Sequence, residues 1–587
     1  MEYTRAQHTK FLDLELDFQT KQYVATVRTS AIALLENDEV FSCQFVKIEN
    51  GLLILKFKND RSIPRKGEYL TAVMLNAAMG SYRNWGNITW ADLRSKYQNV
   101  YSETVCTFHS NTPDQKYSIA GFRGISLEFA QKLEEKCIVI LGPKEPPYKY
   151  LQNLIKIVSR DPQNSLLDRI LDFDLVNHDW VPSILSDRIN FSKFVLNQIS
   201  LTNEIIIQGP PGTGKTHKIA EIAANLLMDG KSVLVTALTN RALIELGSKP
   251  SLKEHIKQGR VFKTNITVDE QSQMPKLINS KDIVCRPGCL CLSTFYITSG
   301  YAIDIQEVPP FDFVIMDEAS QALLAMFAST KLIGKNVIWI GDPNQLPPVT
   351  IIEDDIIKRK GLIHLIEGLK TICTNLSVPS YLLSETYRLT SRGASYTGIF
   401  YNDSLKSIAP KDIRMSFSEI NFEIGKFLNP QGGPTLIKTE MPVGDSKPQS
   451  AIQLVVALLA HLTKTHEKDF EIAVLTKLKK TVKELQKNVS SNLGNDRNIL
   501  IETIERVQGL TCDICIFLIP NAMQNMSLQR SLFNVATSRA KRHTIIIADK
   551  NILSFPFADK QVNTYLKKLN EDFSFEVDTN YNNKLSS

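Results

Sequence analysis

The stretch GPPGTGKT, residues 209–216, carries the residue types that bind the phosphates of a nucleoside triphosphate. It follows the short apolar run EIIIQ and precedes a helical pattern, the setting that a phosphate-binding loop (P-loop) requires. The glycines let backbone N–H groups approach phosphate oxygens, the lysine reaches the β- and γ-phosphates, and the final hydroxyl binds Mg²⁺. The predicted nucleotide-binding residues are Gly209, Pro210, Pro211, Gly212, Thr213, Gly214, Lys215 and Thr216.

Two adjacent carboxylates, Asp317 and Glu318, follow the apolar run FDFVIM. A carboxylate at the carboxyl end of a parallel strand points into the crevice beside the phosphate loop. We therefore predict that Asp317 holds Mg²⁺ together with Thr216, and that Glu318 polarises the attacking water. The run NVIWIG ends in the turn GDPNQ, where the amide of Gln345 would contact both the γ-phosphate and that water.

Short apolar runs alternate with helical patterns from about residue 190 to residue 549. This rhythm is typical of parallel sheets that are covered by helices on both faces. It occurs in two series, which predicts two α/β lobes in tandem. Residues 31 to about 120 instead show alternating runs with the turn signals ENG and PRKG, which predicts a small antiparallel barrel or sheet.

These patterns divide the chain into five predicted parts. They are a lead segment at residues 1–30, a β-rich accessory domain with a helical stalk at 31–185, a first α/β lobe at 186–376, a second α/β lobe at 377–575 and a tail at 576–587.

The composition narrows the class of protein. A net charge of +6, from 68 basic and 62 acidic residues, permits a nucleic-acid partner without requiring one. Nine scattered cysteines indicate a reducing compartment, and neither the group Cys285, Cys289 and Cys291 nor the pair Cys512 and Cys515 has the partners of a metal site nearby. With no secretory signal and no apolar run of roughly 18 residues, we expect a cytoplasmic protein (nuclear in a eukaryote) without a membrane partner.

The motifs GPPGTGKT, DEAS and GDPNQLPP occur in the order found in superfamily 1 helicases, and the second lobe adds ETYRL, TIERVQGLTCD and NVATSRAK. Over about residues 190–549 the chain resembles the up-frameshift-like branch of these helicases. The resemblance implies an α/β fold with two tandem RecA-like P-loop domains and a β-rich, barrel-like domain ahead of them. It also implies ATP and Mg²⁺ as cofactors, and 5′ to 3′ movement along single-stranded or tailed DNA or RNA.

The same resemblance assigns roles in the second lobe. Arg388 and Arg539 would reach the γ-phosphate, where planar guanidinium groups meet the charge of the transition state, and Tyr387 would pack on the adenine. The predicted catalytic residues are thus Lys215, Asp317, Glu318, Gln345, Arg388 and Arg539. The residues expected to bind the nucleic-acid backbone are Thr239, Asn240, Ser293, Thr294 and Thr503.

Two regions depart from the family pattern or extend it. The glutamine that selects adenine in the family has no clear counterpart, so Asn190 or Gln198 would take its place. In the β-rich domain, basic and aromatic side chains alternate, a mixture that suits a single strand, although a solvated barrel face is the alternative. This set comprises Lys56, Lys58, Arg61, Arg65, Lys66, Arg83, Arg94, Lys96, Tyr69, Tyr82, Trp85 and Trp90.

Two functions fit the motifs. One is an ATP-dependent motor that moves along a single strand and unwinds duplexes. The other is an ATP-gated clamp or sensor that grips nucleic acid and recruits a partner with little unwinding. No carboxylate cluster outside the lobes indicates a nuclease centre, so a separate nuclease or regulatory subunit is a further candidate partner.

Overall fold

Three large sheets organise the chain in the computed structural model: a closed antiparallel barrel and two parallel sheets. The structure describes residues 2–58, 62–76, 82–111, 116–162, 166–176, 178–185, 190–306, 308–409, 425–467, 469–493, 498–507, 509–556 and 559–577. No helix within these ranges is long and apolar enough to cross a membrane.

The barrel confirms the prediction of a β-rich domain ahead of the lobes. Its strands, in the order in which they pair, are Phe41–Glu49, Leu52–Lys58, Tyr117–Arg123, Gln98–Asn111, Tyr69–Leu75 and Ile138–Pro143. Alternate side chains such as Leu53, Leu55 and Phe57 point inward and are at most 1% exposed, as the two-residue period of a strand requires. Helices of this region are Ala31–Glu36, Trp90–Ser95, Leu127–Gln131, Tyr148–Val158 and Leu166–Leu171.

The predicted lead segment contains one long helix, Arg5–Val27. Phe11 and Leu12 are buried in the core of the first lobe, and the helix packs along Tyr148–Val158. Its last residue, Val27, lies in a separate core beside the barrel. The helix therefore connects the barrel to the first lobe.

The first lobe contains nine parallel strands. In pairing order they are Ile278–Ser280, Val261–Thr264, Leu290–Thr294, Val233–Ala237, Phe311–Met316, Gly334–Gly341, Glu204–Gln208, Ser380–Leu383 and Ser183–Leu185. The last two strands lie outside the predicted limits 186–376 of this lobe. Local patterns locate a strand but do not say which sheet it joins, and Ser380–Leu383 pairs directly with Glu204–Gln208.

The helices of the first lobe cover both faces of this sheet, as the rhythm of the sequence predicts. They are Phe191–Thr202, Lys215–Met228, Asn240–Gly247, Lys253–Lys257, Val268–Gln273, Phe295–Ile303, Leu324–Ile333, Asp354–Lys360, Ile363–Ile366 and Gly368–Asn375.

The second lobe has six parallel strands. In pairing order they are Ile499–Thr503, Ile472–Thr476, Cys512–Leu518, Ala540–Asp549, Gly433–Thr439 and Ser574–Val577. The edge strand ends at Val577, two residues beyond the predicted limit of the lobe. The helices are Ser391–Thr397, Gln449–Leu462, Lys479–Leu493, Gln524–Ser527, Arg530–Thr537 and Lys560–Asp572.

Candidate active site

The phosphate loop lies between the buried strand Glu204–Gln208 and the helix Lys215–Met228. Gly212 and Gly214 both have φ of +74°, a conformation that glycine adopts without steric cost. A Cβ on Gly212 would also stand 2.4 Å from the Cβ of Arg388, so only glycine lets this segment pass so close. The predicted loop residues thus form one tight turn at the carboxyl edge of the sheet.

Lys215 lies at the base of this loop. Its Nζ donates hydrogen bonds to the carbonyl oxygens of Gly209 and Pro210. Burial lowers the pKa of Lys215, and the carboxylates of Asp342 and Asp317 oppose that shift. The ammonium group is therefore held among carbonyl and carboxylate oxygens, at the position from which a P-loop lysine reaches the β- and γ-phosphates.

The two predicted acids lie at the end of the strand Phe311–Met316. Asp317 is 4% exposed and its Oδ1 accepts a hydrogen bond of 2.8 Å from the backbone N–H of Glu318. Burial raises the pKa of Asp317 to about 6. Burial, together with the neighbouring Asp317, raises the pKa of Glu318 to about 8.

Glu318 combines two unfavourable features. Its backbone has φ of +53°, which is uncommon for a residue with a side chain. Its Oε2 is buried and accepts no hydrogen bond within the described part of the chain. Backbone strain and an unpaired buried oxygen are typical of functional groups, so both observations support Glu318 as the group that accepts a proton from water.

Gln345, the predicted sensor, belongs to a hydrogen-bond network centred on Asp342, which is 1% exposed. Gln345 Nε2 donates to Asp342 Oδ2 at 2.8 Å, and Gln208 Nε2 donates to Oδ1 at 3.1 Å. The hydroxyl of Tyr401 donates to the same Oδ2 at 2.6 Å and accepts from Asn534 Nδ2 at 2.7 Å. The network therefore joins the first lobe to the helix that precedes Arg539 in the second lobe.

Sequence reasoning missed Asp342, Tyr401 and Asn534. Asp342 lies in the GDPNQ turn, Asn534 lies in NVATSRAK, and Tyr401 lies in the stretch TGIFYNDSL downstream of ETYRL. The signal was therefore present, but nothing local indicates that three polar side chains from separate motifs share one buried contact.

The two predicted arginines line the same cavity as the phosphate loop. Arg388 Nη1 donates to the carbonyl of Ser538 at 3.2 Å, and Arg539 Nε donates to that of Val535 at 2.8 Å. Burial, followed by the charge of Arg539, lowers the pKa of Arg388 to about 9, and burial lowers that of Arg539. Arg539 is buried and Arg388 is half-buried. Two such cations that repel each other are unfavourable unless an anion lies between them, which suits a γ-phosphate.

Tyr387 lies above the phosphate loop. Its backbone N–H donates to the carbonyl of Gly212 at 2.8 Å, and its ring stands 3.7 Å from the position of a Cβ on Gly214. The side chain is 51% exposed next to the loop. Of the two residues predicted to replace the adenine-selecting glutamine, Asn190 caps the helix Phe191–Thr202, and Gln198 accepts a hydrogen bond from Tyr381. Neither residue lines the cavity of the phosphate loop.

The cavity that contains the phosphate loop has a volume of about 2250 Å³ and extends between the barrel and both lobes. Thr239, Asn240 and Thr294 line it. Ser293 does not, because it is fully buried and its hydroxyl pairs with Thr264 at 3.2 Å. Thr503 is 5% exposed and lies outside the lining. The binding of a nucleic-acid backbone by these five residues stays a prediction.

Only part of the predicted basic and aromatic surface of the barrel faces the cavity. Arg65, Lys66, Tyr69 and Arg94 line the cavity. Four basic residues of the set lie outside the cavity lining: Lys58 and Arg83 are exposed elsewhere, Lys96 pairs with Asp92, and Lys56 Nζ lies 3.7 Å from the centroid of the Tyr117 ring. Trp85 and Trp90 are at most 1% exposed and belong to the core. Arg61 and the side chain of Tyr82 lie outside the described residues. Alternating aromatic residues do not reveal which of them face inward, which explains the error for the tryptophans.

Two family models, both described as AAA domain, match the lobes: one covers residues 186–267 and 248–353, and the other residues 367–551. This chain belongs to the up-frameshift-like branch of the superfamily 1 helicases. The two parallel sheets are accordingly its tandem RecA-like domains.

Related proteins include the "DNA replication ATP-dependent helicase/nuclease dna2" of Schizosaccharomyces pombe, 24% identical over 424 residues, or 64% of this chain and 29% of the relative. Human "DNA replication ATP-dependent helicase/nuclease DNA2" is 22% identical over 436 residues, or 68% of this chain and 40% of the relative. The chain therefore spans less than half the length of either relative. A solved arterivirus nonstructural protein 10 (helicase) with DNA is 16% identical, with a TM-score of 0.32 over 62% of this chain and 63% of that one.

Proposed function

We propose that this helicase-family chain is an ATP-driven motor that moves 5′ to 3′ along a single strand and separates duplexes. The proposal rests on one continuous cavity that joins the phosphate loop to a groove between the barrel and both lobes. Nucleotide at one end of this cavity and a single strand at the other would both contact the two lobes. Closure of the lobes on ATP would therefore change their grip on the strand.

The residues present fit a magnesium nucleotide. Thr216 and Asp317 supply the hard oxygen ligands that Mg²⁺ prefers. Burial raises the pKa of Asp317 to about 6, and a cation beside this carboxyl would favour its charged form. Bound Mg²⁺ would neutralise charge on the β- and γ-phosphates. Lys215 would hold the same phosphates, and Tyr387 would support the base.

The protein side chains would divide the hydrolytic step between the lobes. Glu318 would accept the proton of the attacking water, for which it must be ionised. Gln345 would orient that water from its place beside Asp342. Arg388 and Arg539 would meet the charge that spreads over the γ-phosphate, so their contribution would appear mainly in the transition state.

Single-stranded DNA is the proposed substrate, because the relatives carry names of DNA replication enzymes. Single-stranded RNA is the alternative substrate to be tested beside it. We place the protein in the cytoplasm or nucleus, since all nine cysteines are free thiols. A separate nuclease or regulatory subunit would be a binding partner of this protein, and the ATP-driven motor would not require it.

Two measurements test the proposal. ATP turnover should be low alone and rise strongly with single-stranded DNA, and equal rates with and without DNA or RNA would contradict it. Strand displacement should occur on duplexes with a 5′ tail and fail on those with a 3′ tail. Stimulated turnover without displacement on either substrate would instead support an ATP-gated clamp.

A further inference from the structure

We propose that Tyr69 of the barrel and Tyr296 of the first lobe form a stacking site for the bases of a single strand. The site would lie beside Thr294, where the phosphates of the same strand would be held. The inference rests on the proposed function, and it adds a contact to the bases where the family motifs supply contacts to the backbone.

Tyr296 is placed next to the expected backbone contacts. It is the second residue of the helix Phe295–Ile303, which begins directly after Thr294, and both residues line the cavity. Its ring packs edge-on against Tyr150, with 5.1 Å between the ring centroids and 66° between the ring planes. This contact fixes the orientation of the ring while the residue stays 40% exposed. A base would therefore meet a surface that is already ordered.

Tyr69 approaches the same place from the barrel. Both tyrosines line the same cavity, and the segment that carries Tyr150, the residue packed against Tyr296, also carries Lys144, which lies beside Tyr69. Tyr69 is 62% exposed, an unusual state for a large aromatic side chain at the mouth of a cavity. Lys144 Nζ lies 5.9 Å from the Tyr69 ring centroid. An exposed ring with a cation beside it can stack on a base and attract the adjoining phosphate.

The neighbouring strand repeats this arrangement. Tyr101 is 47% exposed, and the guanidinium of Arg94 lies 5.4 Å from its ring centroid. The pairing of Val73 with Tyr101 and of Tyr69 with Val105 places both tyrosines on adjacent barrel strands. The barrel thus presents a short row of rings toward the cavity, which suits successive bases of one strand.

The charges around the rings also favour a polyanion. The acids nearest them are already paired, Glu103 with Lys144 at 2.7 Å and Glu145 with Arg94. Besides Arg94 and Lys144, which pair with these two acids, the cations Arg65, Lys66, Arg123 and Lys149 line the same cavity. Rings that contact bases, hydroxyls near phosphates and a surplus of cations together match a single strand of nucleic acid.

A strand without bases tests the site. Fluorescence anisotropy would compare a deoxythymidine oligomer with an abasic oligomer of equal length, for the wild-type protein and for Tyr69→Ala and Tyr296→Ala. Stacking is typically worth about 1–3 kcal/mol per base, so each substitution should weaken binding of the deoxythymidine oligomer by roughly 5- to 150-fold. Binding of the abasic oligomer should not change. Tyr69→Phe and Tyr296→Phe should retain wild-type affinity for both, because the ring and not the hydroxyl makes the contact.

The control is Tyr117→Ala, a barrel tyrosine outside the cavity lining, which should bind both oligomers as the wild type does. Melting temperatures would confirm that each variant folds. If Tyr296→Ala does not fold, Tyr69→Ala still decides the test, because Tyr69 is exposed and its removal should not disturb the core. Equal losses on both oligomers, or none on either, would overturn the stacking site alone. A wild-type protein that binds neither oligomer would overturn the proposed function and the stacking site with it.

Discussion

Glu318→Gln should stabilise the nucleotide-free protein at high pH while it abolishes ATP turnover. Burial and the neighbouring Asp317 raise the pKa of Glu318 from 4.5 to about 8. An acid whose pKa is higher in the folded state favours folding while it is protonated, and that contribution is lost as the pH rises through the folded pKa. Glutamine resembles the protonated acid in shape but has no charge to bury.

The magnitude follows from the size of that shift. The difference between about 8 and 4.5, at about 1.4 kcal/mol per unit, corresponds to a gain for glutamine on the order of 5 kcal/mol at pH 9. Near pH 4 the gain should vanish, since the carboxyl is then protonated in both the folded and the unfolded chain. For a lobe of this size the gain at pH 9 corresponds to a rise in melting temperature on the order of 10 °C.

The assay is thermal unfolding of both proteins at pH 4, 7 and 9, with ATP turnover measured on the same preparations. Glu254→Gln is the matched control, because Glu254 lies on the surface beside Lys257 and should give the same melting temperature as the wild type at each pH. A gain that is equal at pH 4 and pH 9 would refute the buried ionisation as its cause. Turnover within tenfold of the wild type would refute Glu318 as the proton acceptor.

Three further substitutions test the other parts of the site. Arg539→Ala should lower turnover by about 10³- to 10⁵-fold and change nucleotide affinity, measured with a fluorescent analogue, only modestly; turnover within tenfold would exclude it as the inter-lobe arginine. Tyr401→Phe should cost about 1.5–3 kcal/mol of stability in a denaturant titration and also reduce DNA-stimulated turnover. The control is Tyr396→Phe, which removes a 2.6 Å hydrogen bond to Asp572 away from the cleft and should lower stability without lowering turnover. Equal turnover in Tyr401→Phe and Tyr396→Phe would contradict a role of Tyr401 in coupling the lobes. Arg65→Ala should lower the magnitude of the slope of log affinity against log salt concentration by about 0.7 on a single strand. Lys58→Ala, outside the cavity, should leave that slope unchanged. The reverse result would mean that the strand binds on the Lys58 side of the barrel and not in the cavity.

The nucleotide site could be predicted from the sequence because its parts are local. A P-loop needs its glycines, lysine and hydroxyl in one turn, and an acid that follows a buried strand must lie at the edge of the sheet. Lys215 and Asp317 accordingly line one cavity, and Arg539, which only the resemblance to helicases pointed to, lines it from the second lobe. Their chemistry is set by residues a few positions apart in each motif.

The remainder depends on contacts between distant segments. The strand Ser380–Leu383 has the same local pattern as the strands of the second lobe, yet it joins the first, because crossover connections and not composition decide its partner. Trp85 and Tyr69 occur in one stretch of alternating aromatic residues, yet one is buried and the other exposed. Only the closure of the barrel decides which of them faces the cavity.

The same long-range contacts suggest how the two ends of the cavity communicate. The helix Arg5–Val27 carries Glu15, whose carboxylate is 2% exposed and accepts hydrogen bonds from the backbone N–H groups of Ile351 and Ile352. These residues follow the GDPNQ turn, and the same helix ends in the core beside the barrel. The segment after the turn is therefore held by a helix that also reaches the barrel, and the turn itself is bonded to the second lobe through Tyr401. Asn344 of the turn adds two more bonds, to the carbonyl of Phe400 and from the amide of Asn534. In the proposed motor, a lobe movement that breaks these bonds together would free the turn from the second lobe, so the position of Gln345 would depend on how the lobes are closed.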